Sequence, residues 1–222
     1  MKMDKMDDMW FTSDHHFGHK RIIELCNRPY ENIKEHDEDL IARWNSVVSP
    51  SDQVYHLGDF TLGGSKDAAK IFERLNGNIH IIGNYFHHDS RWLPKMDNGA
   101  PALWETHRKY VSLGTEHRQR FVDVLQPITA LEPNPLSVTK DGDVGFYGPP
   151  IILCHYPLAL WDRKHYGAWH LFGHTHQAGN DVVLTRFSLN VGIDAWDYKP
   201  VSLKQVYDHM VACGWYDGWK EF

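Results

Sequence analysis

The sequence predicts an α/β fold, and three observations lead to that prediction. In the first third of the chain, short apolar segments typical of buried strands alternate with amphipathic segments typical of helices. The chain has 222 residues, of which 42% are hydrophobic and 23% are charged, as in an ordinary globular protein with a sizeable core. Five apolar segments are each followed closely by an aspartate, asparagine or histidine. We therefore predict a single domain over residues 1–222.

Five strands are predicted from runs of β-branched, aromatic and leucine residues. They cover residues 9–13, 54–57, 79–82, 151–154 and 169–172. In α/β folds, ligands bind beyond the carboxyl ends of parallel strands. The polar residues that follow these five segments are therefore the candidates for a functional site.

Three helices are predicted from the spacing of apolar residues and from capping residues. Residues 33–48 place their apolar side chains on one face, and so do residues 66–76, for which Ser65 is the expected N-cap and Gly77 the expected stop. Near the end of the chain, Ser202 opens a capping-box sequence, which predicts a helix that ends near Gly214.

The segment from about 90 to 120 interrupts this alternation. It contains Pro94, Pro101 and the turn sequence Asn98-Gly99. We predict that it is an insertion lying over the ends of the strands. The residues 121–124 that follow it, and those around the Asp141-Gly142 turn, are typical of hairpin strands.

The composition excludes several classes of protein. The net charge of −6 and the pI of about 6.2 argue against broad electrostatic binding of nucleic acid. No apolar run approaches the roughly 18 residues that a membrane span needs, and the charged start is unlike a signal peptide. The three cysteines, Cys26, Cys154 and Cys213, contain no C-x-x-C pair, so neither a disulfide framework nor a thiolate zinc site is expected. We predict a cytoplasmic enzyme or binding domain.

The residues that follow the strands form a set of metal-ligand types. The set contains two carboxylates, four imidazoles and one amide: Asp14, His16, Asp59, Asn84, His155, His174 and His176. Seven ligands are too many for one tetrahedral zinc ion but suit two divalent ions, with Asp59 able to bridge both. In extended backbone, residues two apart point to the same side, so each D-x-H or H-x-H pair can hold one ion. Each motif alone is common as a turn or a packed histidine; their coincidence at five strand ends favours the metal centre.

In this order, D-x-H, G-D, G-N, a lone H and G-H-x-H, the motifs resemble those of the calcineurin-like metallophosphoesterase superfamily, in its small prokaryotic and phage-type branch. The resemblance spans about residues 9–200. It implies a four-layer α/β/β/α sandwich of two mixed sheets. It also implies two divalent transition-metal ions, with manganese preferred and iron, zinc, cobalt or nickel as alternatives. One ion would be held by Asp14, His16, Asp59 and His176, and the other by Asp59, Asn84, His155 and His174.

The sequence departs from the family pattern after Asn84. The family places a histidine that assists the leaving group directly after this asparagine, whereas here Tyr85 and Phe86 intervene before His87, His88 and Asp89. We predict that His88, or otherwise His87, donates the leaving-group proton. The alternative is that both are solvated loop histidines and that the acid is absent.

The expected function is hydrolysis of a phosphate ester by a metal-bridging hydroxide. The expected substrate is a small phosphodiester or nucleotide-like molecule, and no membrane partner is expected. A phosphomonoesterase is the alternative, and so is a catalytically weak metal-binding scaffold of the same fold.

Overall fold

A computed structural model of the chain describes residues 8–82, 88–93, 109–115, 118–131, 150–176 and 186–215. These residues form an α/β structure with two mixed sheets, as the sequence predicts. The strands in chain order are β1 (Met9–Thr12), β2 (Gln53–His56), β3 (Asn78–Ile82), β4 (Lys109–Thr115), β5 (Arg118–Leu125), β6 (Ile128–Leu131), β7 (Ile151–Cys154), β8 (Trp169–Phe172), β9 (Ser188–Asn190) and β10 (Val201–Ser202).

The first sheet has the strand order β10-β1-β2-β3-β5-β4. Its four inner strands run parallel, and both edge strands are antiparallel to their neighbours. The second sheet has the order β6-β7-β8-β9, in which β7, β8 and β9 are parallel and β6 is antiparallel. All five strands predicted from the sequence are confirmed within one or two residues.

The helices are α1 (Ile22–Leu25), α2 (Ile33–Val47), α3 (Ser65–Phe72) and α4 (Leu203–Ala212). The predicted α2 and α4 are confirmed, with Asn32 and Ser202 as N-caps that accept backbone N–H groups of the first turn. The prediction for α3 was wrong at both ends. Gly64 is its N-cap, and its last turn tightens into i→i+3 bonds, such as that from the Leu75 N–H to the Phe72 carbonyl (3.3 Å), before the left-handed Gly77.

Two hydrophobic cores hold the sheets and helices together. The first core lies between the first sheet and helices α2 and α3; it includes Trp44, Val54, Phe72 and Ile81. The second core joins the two sheets: side chains of β1 and β3 share it with side chains of β7 and β8 and with α4. The strands of both sheets are therefore fixed relative to one another, which brings their carboxyl ends together.

The predicted insertion at 90–120 contributes to the first sheet. Residues Lys109–Thr115 form the edge strand β4, which pairs in antiparallel register with β5. The prediction that this whole segment lies over the strand ends was therefore wrong for residues 109–115, because backbone pairing with β5 satisfies their N–H and C=O groups. Residues 94–108 and the Asp141-Gly142 turn lie outside the described residues. In the described part of the chain, every helix is too short or too polar to cross a bilayer.

The buried histidine His56, which is hydrogen-bonded to the buried His15, is expected to make the fold less stable in acid. The Gly58 N–H donates to His56 Nδ1 (3.2 Å), so the His56 proton lies on Nε2 and is donated to His15 Nδ1 (3.0 Å). Burial lowers the pKa of His56 to about 3. The ordinary pKa of histidine is about 6.5. Below that pH, His56 binds a proton in the unfolded chain but stays neutral in the folded chain, so acid favours unfolding.

We expect this one group to lower the free energy of unfolding by about 2 kcal/mol between about pH 7.5 and pH 5. Urea unfolding in EDTA at both pH values measures the loss, and His56→Gln is expected to reduce it by that amount. The exposed His165 provides the control variant, His165→Gln. An unchanged pH dependence in His56→Gln would contradict the prediction.

Candidate metal centre

The carboxyl ends of strands from both sheets meet at one place, and most of the predicted ligands lie there. Asp14 follows β1, Asp59 follows β2, His155 follows β7 and His174 follows β8. A parallel bridge between Ser13 and Gly192 links the segment after β1 to the segment after β9. The two sheets are thus joined by backbone pairing at the edge that carries the site.

The backbone at the site is left-handed at five of the predicted ligands. Their φ angles lie between 49° and 68°: Asp14, His16, Asp59, His174 and His176. Residues other than glycine adopt this conformation only where the surrounding structure enforces it, at about 1–3 kcal/mol each. The bonds from the Asp14 N–H to the Gly58 carbonyl (3.1 Å) and from the His16 N–H to the Asp59 carbonyl (3.0 Å) hold the first two loops together.

The pairing of residues two apart holds for Asp14 and His16, which lie in one group. His174 and His176 enter different groups, because their backbone is left-handed rather than extended. The family resemblance implies the same division of these two histidines. Asp14, His16 and His176 offer ligand atoms that lie within 4.8 Å of one another, which we call the first group. Asp59, His155 and His174 do the same and are the second group.

Asp59 lies between the two groups. Its Oδ2 is 3.6 Å from His16 Nε2 in the first group and 3.6 Å from His155 Nε2 in the second. The His155 Nδ1–H donates to the Leu57 carbonyl (3.0 Å), which leaves Nε2 as the nitrogen that faces Asp59. One carboxylate oxygen is therefore within reach of both groups.

Several buried polar atoms at the site have no hydrogen-bond partner among the described residues. They include Asp14 Oδ1, both ring nitrogens of His16, and His155 Nε2. A buried carboxylate or imidazole nitrogen without a partner costs a few kcal/mol, so such atoms are rare. Divalent cations satisfy carboxylate oxygens and neutral imidazole nitrogens together. The residues present therefore fit a metal centre.

The protonation of the histidines supports ligation at His16 and His155. Burial lowers the pKa of His16 well below 6.5, with further lowering by His176 and His88, and burial lowers the pKa of His155 to about 4. Both rings are neutral near pH 7, the form that binds metal. His176 differs: although burial opposes it, the hydrogen bond to Asp194 raises its pKa to about 10. A cation that binds at His176 Nε2 would have to displace a proton.

The remaining predicted residues are His88, Asn84 and His87. His88 lies at the site: its Nε2 is 3.8 Å from Asp59 Oδ2, and its ring is 4.6 Å from that of His16. Asn84 and His87 lie outside the described residues. The role of His88 as proton donor stays a prediction that its position supports.

Asp89 has a role that the sequence does not reveal. It is buried, and its carboxylate accepts the N–H groups of Asp59 (2.8 Å) and Phe60 (2.9 Å) and the indole N–H of Trp92 (2.9 Å). Asp89 therefore fixes the backbone of Asp59 and Phe60, and with it the position of the Asp59 side chain.

Other residues of metal-ligand types lie beside the predicted ligands. His19, which lies three residues after the D-x-H motif, forms a close group with His16 and His88. Cys26 forms a close group with His176 and Asp194, although no cysteine was expected near a metal site. The isolated Cys26 has no sequence neighbour that would have revealed this, because only the fold brings it to His176.

Gly173 allows the two sheets to approach at the first group. A methyl group at this position would overlap the Ser13 hydroxyl and Asp14 Oδ2, the atom that accepts the His174 N–H (2.9 Å). We expect Gly173→Ala to displace Asp14 and to weaken divalent-ion binding about 10–100-fold, the usual cost of disturbing the support of a ligand. Calorimetric titration with Mn²⁺ measures this change.

Gly64→Ala is the matched control, because nothing lies within 4 Å of a methyl group there. Equal Mn²⁺ affinity in Gly173→Ala and Gly64→Ala would show that the close approach is not needed.

Comparisons with known proteins give relatives whose names state no activity. No protein-family model matches the chain. The gene 66 protein of Mycobacterium phage D29 is 30% identical over 206 residues, covering 86% of this chain and 90% of that protein. The gene 66 protein of Mycobacterium phage L5 is 29% identical over 222 residues, covering 91% and 94%, and an uncharacterized protein of Methanocaldococcus jannaschii is 29% identical over 205 residues, covering 89% and 88%. A crystal structure of a protein of unknown function from Aquifex aeolicus has the same fold, with a TM-score of 0.57 and 20% identity over 90% of this chain and 98% of that one.

Proposed function

Because this chain belongs to the family of the gene 66 protein of Mycobacterium phage D29, whose name states no activity, we propose its function from the site alone: a dinuclear metal-dependent phosphoesterase. The observation that carries the proposal is the position of Asp59 Oδ2, 3.6 Å from a histidine of each group. A carboxylate so placed can serve two ions at once. Two adjacent cations are the arrangement that phosphatases and nucleases use for in-line displacement at phosphorus.

The metal ligands in this proposal are the residues of the two groups. Asp14, His16 and His176 would hold one ion, His155 and His174 would hold the other, and Asp59 is within reach of both. Asn84, which lies outside the described residues, is proposed as a further ligand of the second ion. Bound at these residues, divalent ions would supply a nucleophile from water at neutral pH and would neutralise the charge that develops on the phosphoryl oxygens. We propose manganese, with iron, zinc, cobalt or nickel as alternatives.

The chain's own groups complete the reaction. His88 is 27% exposed and stands beside Asp59, so its ring reaches solvent and the substrate side of the centre. It is proposed to hold a proton for the oxygen of the leaving group. Asp89 keeps the Asp59 loop fixed by its bonds to the backbone, so that the shared carboxylate needs no rearrangement during turnover.

A phosphodiester or nucleotide-like substrate is supported by an aromatic side chain at the edge of the site. Tyr156 is 37% exposed, and its ring centroid lies 4.6 Å from that of His174 and 4.8 Å from that of His155. A partly exposed aromatic ring beside the metal ligands can stack on a nucleobase. The alternative is a phosphomonoester, which needs no such contact.

We also propose that the fold is the four-layer α/β/β/α sandwich of this kind of enzyme. Helices α2 and α3 cover the outer side of the first sheet, and the second core joins the inner sides of both sheets. The likeness to the Aquifex aeolicus structure supports the same fold over most of the chain.

The test is a metal-dependent activity screen. The chain is stripped with EDTA, reconstituted with Mn²⁺, and assayed with bis-p-nitrophenyl phosphate, p-nitrophenyl phosphate and cyclic nucleotides, with metal content measured in parallel. We expect up to two ions per chain and diester hydrolysis only when they are bound. Faster turnover of the monoester would favour the phosphomonoesterase. Two bound ions without hydrolysis would indicate a scaffold, and hydrolysis by the metal-free chain would overturn the proposal.

A further inference from the structure

Arg28 is a buried arginine beneath the first group, and every N–H of its guanidinium group has an acceptor. It is 4% exposed. Its Nε and Nη2 donate to the two oxygens of Asp194 (2.9 and 2.8 Å), and Nη2 also donates to the Asp14 carbonyl (2.7 Å). Its Nη1 donates to the His15 carbonyl (2.9 Å) and to His36 Nε2 (2.8 Å). All five donors of the side chain are thus used.

Asp194 extends this contact to a predicted ligand on another segment. Its Oδ2 accepts the Nδ1–H of His176 at 2.7 Å. The Nε2 of His176 is then the nitrogen that faces Asp14 Oδ1, at 3.9 Å. Arg28 therefore fixes the backbone that carries Asp14 and, through Asp194, the orientation of the His176 ring.

A second branch reaches the chain just after His16. Because Arg28 donates to His36 Nε2, the proton of His36 lies on Nδ1 and is donated to Asp37 Oδ1 (2.8 Å). The carboxylate of Asp37 in turn accepts the Gly18 N–H (3.1 Å). The loop that carries two ligands of the first group is thus anchored on both sides by one hydrogen-bond network, which is buried at Arg28 and reaches the surface at Gly18.

We propose that Arg28, acting through Asp194, is the positioning residue of the first group, and that it sets the divalent-ion affinity of that group alone. The inference rests on the metal centre of the proposed function. Among the described residues, Arg28 makes no hydrogen bond to a member of the second group. The direct contacts of Arg28 therefore support the first group, and its link to the second group is indirect, through the His174 N–H that Asp14 Oδ2 accepts.

Arg28→Lys is the sharpest variant, because it keeps the charge and removes the planar set of donors. A lysine ammonium cannot bond both Asp194 oxygens and two backbone carbonyls. We expect one of two classes of Mn²⁺ sites to weaken about 10–100-fold and the other to keep its affinity. Arg43→Lys is the matched control, since Arg43 pairs with Asp39 and Asp197 at the surface.

The experiment titrates the full EDTA-stripped chain with Mn²⁺. Electron paramagnetic resonance measures the concentration of free Mn²⁺, and calorimetry measures the heat of binding. Unfolding in EDTA checks that each variant is folded. Selective loss of one class in Arg28→Lys supports the inference. Unchanged classes, or equal weakening of both, would overturn it and leave the proposed function in place. A wild-type chain that binds no divalent ion would overturn the proposed function itself.

A measurement on the wild-type chain decides the matter if Arg28→Lys does not fold. Nitrogen-15 spectra of the histidine rings in the Zn²⁺-loaded chain report which His176 nitrogen carries the proton. We expect a protected Nδ1–H, held by Asp194. A proton on Nε2 of His176, with Nδ1 bound to the ion, would overturn the inference.

Discussion

Asp59→Asn is expected to lower turnover of a phosphodiester by about 10³-fold. Asp59 Oδ2 lies within 3.6 Å of a histidine of each group, so replacing the carboxylate affects both ions. An amide offers one neutral oxygen and cannot serve two cations, and the lost charge stabilisation of several kcal/mol corresponds to about this factor. Steady-state kinetics at saturating Mn²⁺ and metal analysis of the dialysed variant measure the effect.

The fold is expected to survive this change. The backbone at Asp59 is held by Asp89, which accepts the Asp59 N–H, and by the His16 N–H, which donates to the Asp59 carbonyl. Unfolding in EDTA should therefore be close to that of the wild type. Asp208→Asn, in the exposed part of α4, is the control for a lost surface carboxylate. Near-normal turnover with both sites filled would show that Asp59 is not shared.

His88→Ala is expected to slow hydrolysis of an alkyl or ribose ester by about 10²–10⁴-fold and to affect a p-nitrophenyl ester far less. An alkoxide leaves poorly without a proton, whereas p-nitrophenolate hardly needs one. The ring of His88 stands beside Asp59 at the partly exposed side of the site, where a leaving group can reach it. The comparison of the two ester types is the measurement, with His87→Ala assayed in parallel.

Metal content separates proton donation from ligation. His88 forms a close group with His16 and His19, so its loss could also remove an ion. We expect the metal content of His88→Ala to stay unchanged, as in the control His209→Ala in α4. Equal slowing of alkyl and aryl esters in both His87→Ala and His88→Ala, or a loss of metal, would show that neither is the acid.

The sequence by itself determined the α/β class, five strands and the two longer helices. Buried parallel strands are continuous apolar runs, and α2 and α4 carry both an apolar face and a capping residue, so local signals suffice. The sequence also determined which side chains to expect at the strand ends, because only a few polar residues follow each apolar run and these are the candidates for the site. The end of α3 was not determined, since local i→i+3 bonds replace its last α-helical turn. The place of residues 109–115 in the first sheet was not determined either, since it depends on the pairing of their neighbour β5 with the distant β3.

The tertiary structure alone decided which side chains support the candidate ligands, whereas the division of the ligands into two sets already follows from the family resemblance. His174 and His176 are two residues apart, yet left-handed backbone sends them to different groups, whereas their spacing alone would place them on the same side of an extended segment. Arg28 and Asp194 are 166 residues apart in sequence, and only the packing of the two sheets brings them together. A metal ligand that directly follows a strand can be predicted from the sequence, because the strand itself is recognisable. A side chain that only holds such a ligand in place cannot be predicted in this way, because its contacts are distant in sequence.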